Sequence, residues 1–381
     1  MNNEIQRLRG IACILVLFQH ICCAIPLAFM VNNCPSLLKL GSSGVHLFFV
    51  ISGLVIALSL KSKLEKCCVS DDFVERLYAA KNELKMFFTK RFFRLMPAFI
   101  VSVILMAGFM CFTGDSLRHL QAWRMLPDVF TTFYNDEIAR FGFKEVIHYS
   151  GSGLYWTLSL ELFFYIIWPV LFLALKNNTV RVKCSLFVGL ALWACARWIM
   201  RDIIKFPDMV YYNTFTNMDG LLLGTFLGLM YRPQDKENPE PNTFNVWSVA
   251  SIILVAFMWF HPNMYEMRVI YYLSWQNAAV FISVLLVWLA LYKKGVLNIP
   301  VIKSVLEYLG NRSYSFYIYQ MFFAYAVVWL ANSKYLSLKG NADLKVFIIF
   351  VVVLLGVTEL SYQFIEKPFR KLGNRLAASF Q

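Results

Sequence analysis

The sequence predicts an all-α integral membrane protein, a bundle of about ten transmembrane helices with both termini in the cytoplasm. Three observations lead there. Hydrophobic residues make up 59% of the 381 and charged residues only 15%, against roughly 45–50% and 25% in soluble domains, and mean hydropathy is +0.57. Apolar runs long enough to cross a ~30 Å hydrocarbon core recur along the whole chain. Basic residues divide unequally between alternate loops. A soluble core of this size could not hide so much apolar surface, so composition excludes a soluble globular enzyme, a disordered chain and a fibrous protein.

Taken in order, the first run, 8–29, follows Arg7 and Arg9. It continues through Val31 without a small-x-small cleavage site, so it reads as a span rather than a signal peptide. The second run is 44–60. The largely charged segment 61–94 follows, and from Asp72 to Lys90 it reads as an interfacial amphipathic helix. Span 97–113 opens on Pro97. The loop 114–153, with His119, Trp123, Arg124, His148 and Gly151, could hold a bulky hydrophilic ligand or simply cap the bundle. Seven further runs follow at 154–175, 184–199, 214–231, 246–260, 270–292, 314–332 and 345–365, of which 184–199 and 246–260 are the shortest. No Pro/Ser-rich linker and no repeat divides the chain. One domain over 1–381 with no appended soluble domain is expected.

With the first end in the cytoplasm, the inside segments hold 24 of the 36 Lys and Arg, the outside segments 11, and Arg197 lies within a helix. The net charge of +13 is therefore a topology signal and an affinity for anionic headgroups, with no basic, aromatic-interleaved face for nucleic acid. The expected location is the cytoplasmic (inner) membrane, multi-pass. An aromatic fraction of 17% suits interfacial belts. The nine cysteines form neither a CxxC pair nor a Cys/His cluster of metal spacing, so no metal is expected.

Polar groups inside a bilayer are costly, which makes each a functional candidate. Here they are His20, Glu161, Arg197, Asp219, Gln320 and Glu359. Arg9 and His20 are eleven residues apart, three turns plus about 20°, so they share a helix face and lie about 16 Å apart along the axis. A long donor could run between them, phosphates at the arginine and a reactive carbonyl at the histidine. A buried, hydrogen-bonded His and a positive-inside Arg remain the plain alternative. By depth, His20 lies about 18 Å from the inner end of its helix and Glu161 about 10 Å from the outer end of its own, so the two could meet and form a base–carboxylate dyad. The same arithmetic sets Arg197 and Asp219 near the outer face on adjacent helices, as an ion pair more structural than catalytic. In KRFFRLMP, Arg91 and Arg94 stand side by side at i and i+3 next to Lys90, two guanidinium forks suited to phosphate oxygens or simply snorkelling at the inner face.

These stretches, in this order, resemble the acyltransferase family 3 of integral membrane proteins, which includes bacterial O-antigen (lipopolysaccharide), capsule and exopolysaccharide O-acetyltransferases. RLRGIACILVLFQH is similar to the family's arginine–x10–histidine signature. GVHLFFVISG resembles its second-helix motif and KRFFRLMP its RxxR element. YWTLSLELFFY resembles W-x-L-x-x-E-x-x-F-Y, and MDGLLLG resembles the Asp-containing sixth-helix element. LGNRSYSFYIYQ and YQFIEKPFR resemble the last two segments. The resemblance runs from Arg7 to Arg370.

It implies acyl transfer with His20 as catalytic base, beside which the depth arithmetic sets Glu161. The implied co-substrate is acetyl-CoA or another acyl-CoA, held on the cytoplasmic side by Arg9, Arg91 and Arg94, with no permanently bound cofactor. The implied acceptor is a sugar hydroxyl on a lipid-linked or exported glycan. Asp219, Trp156 and Arg197 would serve the acceptor or the structure. The chain departs from the family at Gln320, where many members have histidine, and at Asn217, where many have arginine. Ser159, Tyr165 or Trp156 could donate to the developing oxyanion. Two other classes compete. A glycolipid or small-molecule transporter or flippase would also suit ten helices with buried charges, but no inverted repeat is visible. A scaffold without activity would not need Arg9, His20 and Glu161 together.

Overall fold

The computed structural model describes residues 2–24, 41, 43–114, 123, 126–130, 135, 154–199, 212–232, 243–259, 269–332 and 342–380. Among these the regular structure is all helix, with no strand. The principal helices are α1 (Asn3–Ala24), α2 (Ser43–Leu64), α3 (Phe73–Ala79), α4 (Lys81–Phe112), α5 (Tyr155–Ala174), α6 (Asn178–Ala191), α7 (Thr214–Met230), α8 (Val246–Trp259), α9 (Val269–Leu291), α10 (Ile302–Asn311), α11 (Ser313–Asn332), α12 (Ala342–Ser361) and α13 (Lys367–Ala378). Each of the ten apolar runs falls on a helix, and six described helices are long and apolar enough to cross a membrane. A multi-pass membrane bundle follows.

Two boundaries differ from expectation. The charged segment does not carry one helix from Asp72 to Lys90. Asp72 caps the short α3 by accepting from the Glu75 amide at 3.1 Å, and after Ala80 a new helix, α4, runs 32 residues from Lys81 through Pro97. Pro97 removes one backbone donor and crowds a carbonyl one turn earlier, but dense apolar packing on both sides keeps the helix continuous: Leu95, Met96, Ala98 and Phe99 are all buried. At the other end, α12 does not stop near 365. A π-turn, Tyr362–Glu366, carries it into α13, which packs along α4 with Gly373 against Phe93.

The centre of the bundle is the α2–α7 contact. A Cβ at Gly53 would stand 2.0 Å from the Leu221 carbonyl oxygen, and one at Gly224 would stand 2.0 Å from that of Val50. Without those side chains the two backbones close to direct contact, the small-residue packing that replaces the hydrophobic drive inside a bilayer. Around them α1 packs on α2, α10 and α11. α1 and α11 run parallel and in step: the Cys13 thiol donates to the Ser313 carbonyl oxygen at 3.8 Å.

The beginning of α1 is clasped by the chain's last third. Both Glu4 carboxylate oxygens accept backbone amides, from Gly295 and Val296, at 2.8 Å. Arg7 pairs with Glu307 at 2.7 Å. Within the clasped turn Lys293 and Leu297 hold positive φ, and Gly295 sits at φ 91°. Ser248 and Ser251 of α8 bond this turn from the far side.

Candidate active site

Two helices bring the three arginines together. Arg91 and Arg94 stand just before Pro97 on α4, and Arg9 lies two turns into α1. They line one cavity with Ser52 of α2, Glu161 of α5 and Tyr314 of α11. Arg9 is almost fully buried and faces Arg94, Glu161 and Arg91. Glu161 Oε1 accepts from the Ser52 hydroxyl at 3.0 Å and from the Tyr165 hydroxyl at 2.5 Å. The Arg91 guanidinium lies over the Tyr165 and Phe87 rings, 5.1 and 5.3 Å from their centroids, and donates to Ser59 Oγ at 3.3 Å. Two rings under the Arg91 guanidinium fix that fork in place.

A second carboxylate reaches the cluster from the π-turn. Glu366 is buried, accepts from Ser315 Oγ at 3.0 Å and faces Arg94 and Arg9. With Arg370 also beside Glu366, four guanidinium groups stand against two carboxylates, and the buried Arg94 Nε has no hydrogen-bond partner. A cationic, partly dehydrated cavity with a spare donor is suited to a phosphate-bearing ligand.

His20 does not line this cavity. It lies eleven residues further along α1 than Arg9, about 16 Å by helix rise. The structure does not bring His20 and Glu161 together. Glu161 is engaged at the arginine level by Ser52 and Tyr165, while the side chain acting on His20 is Gln320 of α11. The depth argument fails because α5 begins well inside the bundle. Thr157, two residues from its start, already hydrogen-bonds the Tyr317 hydroxyl at 2.8 Å and lines the arginine cavity. One further turn therefore reaches Arg9, not His20.

Arg197 and Asp219 form the expected ion pair, Nη1 to Oδ2 at 2.7 Å, both side chains wholly buried. The π-turn Leu192–Ala196 leads directly into Arg197. Its Nε donates to Gln276 Oε1 at 3.1 Å and its Nη1 to Asn277 Oδ1 at 2.7 Å, and Asp219 Oδ1 accepts the Gly220 amide at 2.7 Å. This is a separate polar centre on the helical continuation of α6 beyond the π-turn, on α7 and on α9. Trp156 is core, edge-on to Phe49 and Tyr212. Glu359 is a partly exposed clasp for Arg312, with Tyr308 donating at 2.6 Å, rather than a group isolated in hydrocarbon. Of the loop 114–153, His119, Arg124, His148 and Gly151 lie outside the described residues. Among the described residues no three His, Cys, Asp or Glu stand together as a metal site.

Sequence reasoning did not single out Ser52, Tyr314 or Glu366. Ser52 lies in GVHLFFVISG and Glu366 in YQFIEKPFR, so the motifs pointed at their neighbourhoods. Which helix face carries them depends on packing that no local pattern encodes.

Residues 2–362 match the family model described as "Acyltransferase domain". The chain is 26% identical over 354 residues to the Peptidoglycan O-acetyltransferase OatA of Listeria monocytogenes, covering 88% of this chain and 52% of that one. It is 25% identical over 362 residues to a Staphylococcus aureus protein provisionally named as an O-acetyltransferase, covering 87% and 53%. A Bacillus subtilis protein, provisionally named the peptidoglycan O-acetyltransferase YrhL, is 24% identical over 357 residues, covering 88% and 51%. The chain thus spans about half the length of these relatives. No solved structure matches it.

Proposed function

We propose, from the premise that this chain belongs to the membrane acyltransferase family matched over residues 2–362, that it transfers an acetyl group from acetyl-CoA to a hydroxyl of a cell-surface glycan. The observation that carries this reading is the arginine cavity. Arg9, Arg91 and Arg94 converge on one space with charge to spare, at one end of a helix whose other end presents His20. In this reading the CoA phosphates bind at the arginines and the thin thioester arm extends about 16 Å to His20. The relatives' names favour peptidoglycan over lipopolysaccharide as the acceptor. The donor side is the cytoplasm, the acceptor enters from outside, and the protein resides in the cytoplasmic membrane with both termini inside.

His20 removes the acceptor hydroxyl proton as the oxygen attacks the thioester carbonyl. The C–O bond forms, the C–S bond breaks, and the imidazolium returns the proton to the leaving CoA thiolate. No charge remains on the enzyme. Arginines at the phosphates hold the donor in position, and positioning of that kind supplies much of the barrier reduction in a two-substrate reaction.

The test is acetyl transfer from labelled acetyl-CoA to purified peptidoglycan glycan strands, with the protein in nanodiscs. His20→Ala should lower turnover by about 10²–10⁴-fold, the usual loss for a general base, with donor binding retained. Full turnover in a well-folded His20→Ala protein overturns the assignment. Glycolipid movement by wild type without acetyl-CoA consumption would instead identify a transporter.

A further inference from the structure

Gln320 is a fully buried amide on α11, and neither its Oε1 nor its Nε2 has a hydrogen-bond partner. An unpaired buried amide is destabilising, so it calls for an explanation. Within the same contact, His20 Nδ1 is also buried and unpaired. Helix geometry brings them there. Cys13 contacts Ser313 where α1 and α11 run in step, and seven residues on, two turns along both helices, His20 meets Gln320. Among the described residues Gln320 is the side chain that acts on His20, with no charged group beside it.

We propose that Gln320 is the positioning residue for His20: its Oε1 accepts the Nδ1–H, fixing the tautomer in which the Nε2 lone pair faces the acceptor hydroxyl. Hydrogen bonds of this kind are commonly long before substrate binds and close in the complex. One imidazole nitrogen must hold the proton so that the other is free, and the group bonded to the first decides which. An amide oxygen does this without adding charge. The amide Nε2 remains free to donate to a substrate oxygen, which accounts for the second unpaired atom. The inference rests on the reading of His20 as base.

The experiment uses full-length protein in nanodiscs with 15N-labelled imidazoles. The chain has five histidines, so the His20 signal is assigned by its loss in His20→Gln. Wild type should show His20 protonated at Nδ1. In Gln320→Met, near in volume but without an acceptor, the signal should move to a mixture of tautomers, and turnover should fall by about 10²-fold, as for a misplaced catalytic group, with the acetyl-CoA KM unchanged. Gln320→Glu keeps the acceptor and adds a negative charge. It should retain the Nδ1–H tautomer and move the acidic limb of the pH–rate profile to higher pH, because the imidazolium is then stabilised. A wild-type signal protonated at Nε2, or an unchanged tautomer in Gln320→Met, overturns the proposal. An unmoved acidic limb in Gln320→Glu does the same should Gln320→Met fail to assemble. Full activity of His20→Ala would sink the base assignment alone, while the tautomer measurement still judges Gln320.

Discussion

Arg94 is the sharpest test at the scale of single residues, because its Nε is buried and unpaired while its neighbours are engaged. Arg94→Ala should raise the acetyl-CoA concentration needed for half-maximal turnover by about 10–150-fold, the equivalent of one charge-assisted contact of roughly 1.5–3 kcal/mol. Desphospho-CoA donors should lose the same factor in wild type and little more in the variant. Glu161 behaves differently. It balances Arg9 and holds Ser52 and Tyr165 rather than His20. Glu161→Gln should therefore alter donor affinity and leave the acidic limb of the pH–rate profile in place. Residue identities at this site were legible in the sequence, since Arg9, Arg91, Arg94 and Glu161 all reach one cavity. Their pairing was not. Depth was counted from assumed helix starts, and α5 starts deeper than a surface-to-surface span would, so a one-dimensional ruler matched Glu161 to the wrong partner.

Helices, the next scale up, were predicted well where the chain is apolar and poorly where charge and apolarity mix. The ten apolar runs all mark helices, but α4 and the α12–α13 rod extend beyond them by several turns. Hydropathy detects the part of a helix that lipid would cover. It is blind to the polar continuation, which is held by Phe93 against Gly373 and by Glu366. Contacts between helices yield a further prediction. Gly224→Val forces a side chain to within about 2.0 Å of the Val50 carbonyl oxygen. It should lower stability by at least the roughly 1–3 kcal/mol of an overpacked core, read as a drop in Tm in detergent. The exposed Gly108, with no neighbour for a Cβ to meet, is the control. Arg197→Met should destabilise more, by about 3–5 kcal/mol, because Asp219 is left charged and buried. Adding Asp219→Leu should recover much of that loss.

For the whole molecule, sidedness is the testable quantity. The distribution of Lys and Arg predicts that single cysteines introduced into a cysteine-free chain at 333–344 react with an impermeant reagent from outside. Those at 66–72 or 293–294 should react only after the membrane is opened. Outside reactivity at 66–72 would put the arginine cavity on the wrong side for a cytoplasmic donor. The clasp at the start of α1 bears on time rather than sidedness. Glu4 is bonded to backbone amides 291 and 292 residues later. At about 5–20 residues per second, a ribosome needs roughly 15–60 s to deliver those amides after Glu4 has emerged. The helix carrying both Arg9 and His20 is thus among the first to be synthesised and among the last to be locked. Until Gly295 and Val296 arrive, the unfinished chain has its first helix without its anchor, and the arginine cavity that this helix helps to line is incomplete.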